Sequence, residues 1–168
     1  IKFDDGETRL RDRLLTATDR VGKLASIPVV VEAVNWANRT PAMRSVMDKT
    51  LGVAAATELP TYTSQRFREH SRRSLAWPVR NGARTPGRVA IFATCYVNYN
   101  EPGIGHDLTR ILEHNEIPYE IVEQEACCGM PKLELGDIAA VEKRKDVNIP
   151  VLARHARDGY AILTPVPS

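Results

Sequence analysis

Apolar residues change their period along this chain. From residue 7 to 57 they recur at helical intervals. In "ETRLRDRLLTATDRVGKLAS", Leu10, Leu14, Leu15, Val21 and Leu24 are separated by charged positions, which predicts one amphipathic helix. Pro28 opens a second predicted helix, "PVVVEAVNWANR", despite the β-branched run Val29-Val30-Val31. Thr40-Pro41 opens a third. Thr40 is the expected N-cap, Met43, Val46 and Met47 share one face, and Gly52 is the stop. This stretch holds no titratable cluster and reads as a helical packing arm, residues 1–57.

Residues 58–87 lose the period. Pro60, Pro78, Pro86, Gly82 and Gly87 break the stretch into turns. From residue 88 the pattern is regular again, and of a different kind. "RVAIFATCY" is a continuous apolar run that predicts a buried strand. "GIGHDLTRILEHNE" predicts a helix with Leu108, Ile111 and Leu112 inward, after a turn made by Gly103 and Gly105. "PYEIVEQ" predicts a second strand. Residues 137–147 predict a helix that Pro150 breaks or restarts, Gly159 ends it, and "YAILTPV" predicts a third strand. Strand, helix, strand, helix, strand implies an α/β unit, a small parallel sheet with flanking helices (βαβαβ), over residues 88–168.

Composition narrows the class only a little. The chain has 168 residues, 43% hydrophobic and 26% charged, with a net charge of +2, which is ordinary for a soluble domain. No apolar run approaches the roughly 18 residues that span a bilayer. Three cysteines is an odd number, against a secreted disulfide framework and in favour of a reducing compartment. Seven arginines stand between Arg66 and Arg88 against one acid, Glu69, with Phe67 and Trp77 among them. The expected role is a solvated linker stapled to the domain by its aromatics. The competing role is a docking surface for an acidic partner. No motif supports nucleic-acid binding.

The cysteines change the picture most. In a parallel sheet, ligands sit beyond the carboxyl ends of the strands. Cys95 is expected at the end of the first strand, and Cys127-Cys128 follow the second. The fold should therefore bring all three thiols to one edge. Thirty-one residues separate Cys95 from Cys127, about one crossover unit. Soft thiolates select iron–sulfur clusters or zinc, and a vicinal redox disulfide is a further alternative. Gly129 can take a positive φ and let the backbone approach a bound group, and Pro131 stiffens the loop exit. Gly103-Ile104-Gly105 is not a dinucleotide fingerprint. His70, His106, His114 and His155 are read as solvated, with no signature pairing His106 with Cys95.

The stretch "CYVNYNEPGIGHDLTRILEHNEIPYEIVEQEACCGMPKLELGD" resembles the cysteine-rich CCG domain of the B-type subunits of heterodisulfide reductases and their relatives. It is most similar to the subgroup of C-type iron–sulfur subunits of anaerobic glycerol-3-phosphate dehydrogenases, through "YNEPGIG" and "CCGMPKLELGD". The resemblance implies an iron–sulfur (4Fe-4S) cofactor, with Cys95, Cys127 and Cys128 as ligands and Gly129 shaping the cofactor loop. It implies an electron-transfer subunit rather than a catalytic one. Implied partners are a flavin dehydrogenase subunit, other iron–sulfur subunits and a quinone or disulfide acceptor. The implied location is cytoplasmic, peripheral on the inner membrane through those partners. The family pattern places a further cysteine directly after Ser168, a ferredoxin-like segment upstream and a second CCG repeat downstream. The sequence thus reads as the middle of a longer parent, with its cluster absent or incomplete in this piece. The 126–134 loop is then expected to be mobile or displaced.

Overall fold

The computed structural model describes residues 10–70, 78, 87–123 and 126–166. Four helices lead: α1 (Leu10–Leu15), α2 (Thr18–Ala25), α3 (Pro28–Arg39) and α4 (Pro41–Leu51). A short helix, α5 (Phe67–His70), precedes β1 (Val89–Ile91). Then come α6 (Thr94–Tyr99), α7 (Pro102–His114), β2 (Tyr119–Ile121), α8 (Met130–Glu134), α9 (Ile138–Arg157) and β3 (Ala161–Leu163).

The strands form one parallel sheet in the order β2-β1-β3. Val89 pairs with Tyr119 on one side and Ala161 on the other, and Ile91 with Ile121 and Leu163. The central strand is buried throughout, because neighbours cover it on both edges and helices cover its faces. Ile91 and Val97 are fully buried, and Leu112, Tyr119 and Ile121 complete the core. So does Phe67, from the stretch read as linker. That stretch is stitched down at several points. The Asn98 carboxamide oxygen accepts from the Arg68 N–H at 3.1 Å, and the Tyr99 carbonyl accepts from the Thr63 N–H at 2.9 Å. Most of the arginine-rich run, with Trp77, lies outside the described residues.

Several expectations are corrected. The first apolar run does not stay extended through Cys95. The strand ends at Ile91, and Thr94 turns the chain into α6 with a φ of +62°. A left-handed β-branched residue is an outlier that a sequence pattern cannot announce. Helix α9 does not break at Pro150, which lies inside it on an exposed face where the displaced carbonyl can meet water. Gly103 and Gly105 do not make a turn; both lie within α7, and a Cβ on Gly105 would come within 2.6 Å of the Phe67 ring. Ile111 is not inward but 60% exposed.

The arm departs further. Its first predicted helix is two, interrupted between Leu15 and Thr18, and the helical region ends at Leu51 rather than near 57. The stripe of Leu15, Val21 and Leu24 faces out, while Thr16, Gly22, Ala25 and Ser26 are buried. On α4 the buried residue is Arg44, whose Nη2 donates to the Ala54 and Thr57 carbonyls at 2.8 and 2.6 Å. Thr40 caps nothing with its side chain; its hydroxyl donates back to the Trp36 carbonyl at 2.8 Å.

Candidate metal centre

Two of the three thiols meet. Cys95 lies in the first turn of α6, and Cys127 follows β2 in the loop before α8. Their sulfurs are 3.9 Å apart. All three cysteines are free, Cys127 buried and the other two half-buried. Cys128 sits beside Cys127 in the chain and favours its thiolate. The three do not surround a single ion position. Among the described residues, no group of three His, Cys, Asp or Glu side chains is placed to hold one metal ion.

The loop carrying Cys127 is tied to α9 by hydrogen bonds. Asn148, buried on α9, clamps it. Its Oδ1 accepts from the Ala126 N–H at 2.7 Å, and its Nδ2 donates to the Cys127 carbonyl at 3.2 Å. This amide replaces a neighbouring strand as hydrogen-bond partner for a buried backbone. Gly129 follows with φ +93°, directly before α8. A Cβ there would find ordinary contacts at 3.8 Å or more, so the backbone angle, not crowding, requires glycine. The Gly129 backbone N–H also favours the Cys127 thiolate.

The arm reaches the same place. Thr18, first residue of α2, puts its hydroxyl 3.5 Å from the Cys127 sulfur and 3.6 Å from that of Cys95. Three contacts fix α1 and α2 there. Asp19 pairs with Arg144 at 3.0 Å. Gly22 lets the Tyr99 ring come so close that a Cβ would sit 2.6 Å from it. Lys132, buried next to the loop, donates to the Arg13 carbonyl at 3.4 Å. The thiols open into a cavity of about 310 Å³ whose wall includes Arg20, Lys23 and Arg68.

These surroundings split the thiols. The hydrogen bond with Cys127 favours the Cys95 thiolate and, aided by Thr18, outweighs burial, so the Cys95 pKa falls to about 7. Cys127 moves the other way. Cys128 favours its thiolate, but the bond to Cys95 and burial prevail and raise its pKa. Of the two, Cys95 is the thiol whose ionised form these surroundings favour. Thr94, next to Cys95, has a buried hydroxyl with no hydrogen-bond partner among the described residues. Two histidines are engaged elsewhere: His106 stacks edge-on to Phe67, and His155 bonds Glu120 at 2.6 Å.

Thr18 and Asn148 carry no signal in the sequence of a place beside the thiols. Neither belongs to a local motif, and each reaches the site from a distant part of the chain.

Residues 89–166 match the family described as "Cysteine-rich domain", CCG. The C subunit of the anaerobic glycerol-3-phosphate dehydrogenase of Escherichia coli (strain K12) is 29% identical over 88% of this chain and 36% of its own length. The B subunit of a fumarate reductase (CoM/CoB) of Methanothermobacter marburgensis is 31% identical over 46% of this chain and 15% of its own. An uncharacterized iron–sulfur protein of Methanocaldococcus jannaschii is 33% identical over 37% of this chain and 13% of its own. The chain thus spans about a third or less of the length of these relatives. No solved structure matches it significantly.

Proposed function

This chain carries a cysteine-rich domain of the CCG family across residues 89–166, and from that premise we propose that it is an electron-transfer iron–sulfur module of an oxidoreductase complex. Cys95, Cys127 and Cys128 are its thiolate ligands. The observation that carries this reading is the pair of free sulfurs 3.9 Å apart, with a third thiol next in the chain. Two sulfurs each about 2.3 Å from one tetrahedral metal lie about 3.8 Å apart, so the pair suits ligation. A structural zinc site needs four donors around one ion, and the described residues bring no three together. Soft thiolates serve iron–sulfur clusters and zinc alike, and it is the likeness to an iron–sulfur protein that favours the cluster over zinc.

When bound, the cluster supplies one-electron redox chemistry. The chain's own residues hold and tune it. Asn148 fixes the loop that carries Cys127, and Gly129 turns that loop and favours the Cys127 thiolate through its backbone N–H. Arg20, Lys23 and Arg68 in the cavity wall oppose the negative charge of a thiolate-ligated cluster.

By analogy with the relatives that belong to multi-subunit reductases and dehydrogenases, electrons arrive from a flavin dehydrogenase subunit. They leave through other iron–sulfur subunits to a quinone or disulfide. Among the described residues no helix is long and apolar enough to cross a membrane. The proposed location is the cytoplasmic side, with any membrane contact made through partner subunits. Anaerobic reconstitution of the full-length protein that carries this sequence tests the reading. Iron and sulfide should be incorporated, with broad visible absorption and a reduced-state EPR signal. One component of that signal should vanish in Cys127→Ser. Wild-type protein that takes up no iron, or a spectrum unchanged by Cys127→Ser, would overturn it.

A further inference from the structure

We infer that Thr18, in the helical arm, is a positioning residue of the redox site, donating the hydroxyl hydrogen bond that raises the reduction potential of the cluster held by Cys95 and Cys127. This rests on the ligand reading given above. Thr18 lies outside the residues matched to the family, and it reaches the sulfurs from 77 and 109 positions away in the chain.

The chemistry follows from hydrogen-bond inventory. In the metal-free site the Thr18 hydroxyl lies within hydrogen-bond reach of both sulfurs, 3.6 Å from Cys95 and 3.5 Å from Cys127. Ligation removes the thiol protons. A ligating thiolate can only accept, so the Thr18 hydroxyl becomes the donor, and its proton can rotate to either sulfur. A hydrogen bond to a ligand sulfur stabilises the more negative, reduced state, and such bonds are among the determinants of cluster potential.

The placement is enforced rather than incidental. Thr18 begins α2, and α2 is pinned by the Asp19–Arg144 ion pair next to it and by the Gly22–Tyr99 contact one turn on. Tyr99 ends the helix that carries Cys95, and Arg144 belongs to the helix that carries Asn148. The elements that position the sulfurs therefore also position the hydroxyl. Arg20 and Lys23 of the same helix stand in the cavity wall with Asp19, whose charge is offset by its ion pair with Arg144. The arm completes the surroundings of the cluster instead of merely packing against the domain.

The test is an EPR-monitored redox titration of the reconstituted full-length protein. It follows the signal component that Cys127→Ser removes. Thr18→Val keeps the shape and deletes the donor, and its midpoint potential should fall below that of the wild type. Thr18→Ser restores the hydroxyl and should return the potential to the wild-type value. A purely structural role would not separate Val from Ser in this way. An unchanged potential in Thr18→Val, with the cluster retained, would overturn the inference and leave the iron–sulfur reading standing. If Thr18→Val does not retain the cluster, Thr18→Ala decides: a lowered potential supports the inference, and a wild-type potential overturns it. Wild-type protein that takes up no cluster would overturn both.

Discussion

The α/β domain and the helical arm bury opposite kinds of residue. In the domain the interior is aliphatic and aromatic: Ile91, Val97, Leu112, Tyr119 and Phe67 fill the space between sheet and helices. In the arm the buried positions are chiefly small or polar, such as Thr16, Gly22, Ser26 and Arg44, while Leu24 is 63% and Trp36 63% exposed. The first region is held by apolar area removed from water. The second is seated by close backbone approach and by a few directed polar contacts. The difference bears on function. Apolar packing tolerates small shifts, whereas a seat built from Gly22 and Asp19–Arg144 leaves Thr18 little freedom relative to the sulfurs.

That comparison can be broken or sharpened by substitution, read by urea unfolding and by hydrogen exchange of each region. The largest effect is expected in the domain core. Ile91→Ala, at a fully buried position, should cost about 2–5 kcal/mol and destabilise both regions, since it leaves a cavity under the sheet. A loss confined to one face of the sheet would contradict a single core. Asn148→Ala should come next, at about 1–3 kcal/mol, because it strands the buried Ala126 N–H and Cys127 carbonyl. Its exchange signature should centre on residues 126–128, with iron retention in the full-length protein reduced. Retention at the wild-type level would show that the loop holds itself.

Gly22→Ala should cost about 1–3 kcal/mol through overpacking against the Tyr99 ring. Exchange should rise in α1 and α2 while the sheet stays protected. Equal loosening of the sheet would mean that arm and domain unfold together. Arg144→Gln is expected to cost no more than about 1 kcal/mol, since its ion pair with Asp19 is partly exposed to solvent. The smallest effect is expected on the arm's outer face: Leu24→Ser should change stability by no more than about 0.5 kcal/mol. A larger loss would show that this face is covered in solution.

Much of the architecture was legible because it rests on local pattern. Short apolar runs separated by helical periods announce βαβαβ, and right-handed crossovers then leave a parallel sheet with its ligand edge at the strand ends. The two thiol-bearing segments therefore fall at the same edge whatever the details of packing. Gly129 was legible for a similar reason: one turn needs a positive φ, and the local sequence supplies the residue that accepts it.

What the tertiary structure alone decided is which faces meet. The apolar stripe on the first helix points outward, because the partner surface, the Tyr99 ring, selects for the smallest residue rather than the most apolar. Helical periodicity reports only that a stripe exists. Cys95 stands on a helix instead of a strand end, because Thr94 takes a left-handed turn that its residue type disfavours, and the surrounding core imposes it. Thr18 and Asn148 act at the thiols through contacts spanning tens to more than a hundred positions of chain. No local propensity encodes such a contact. It exists only once the sheet, α2 and α9 have packed and brought a hydroxyl and a carboxamide to the sulfur-bearing loop.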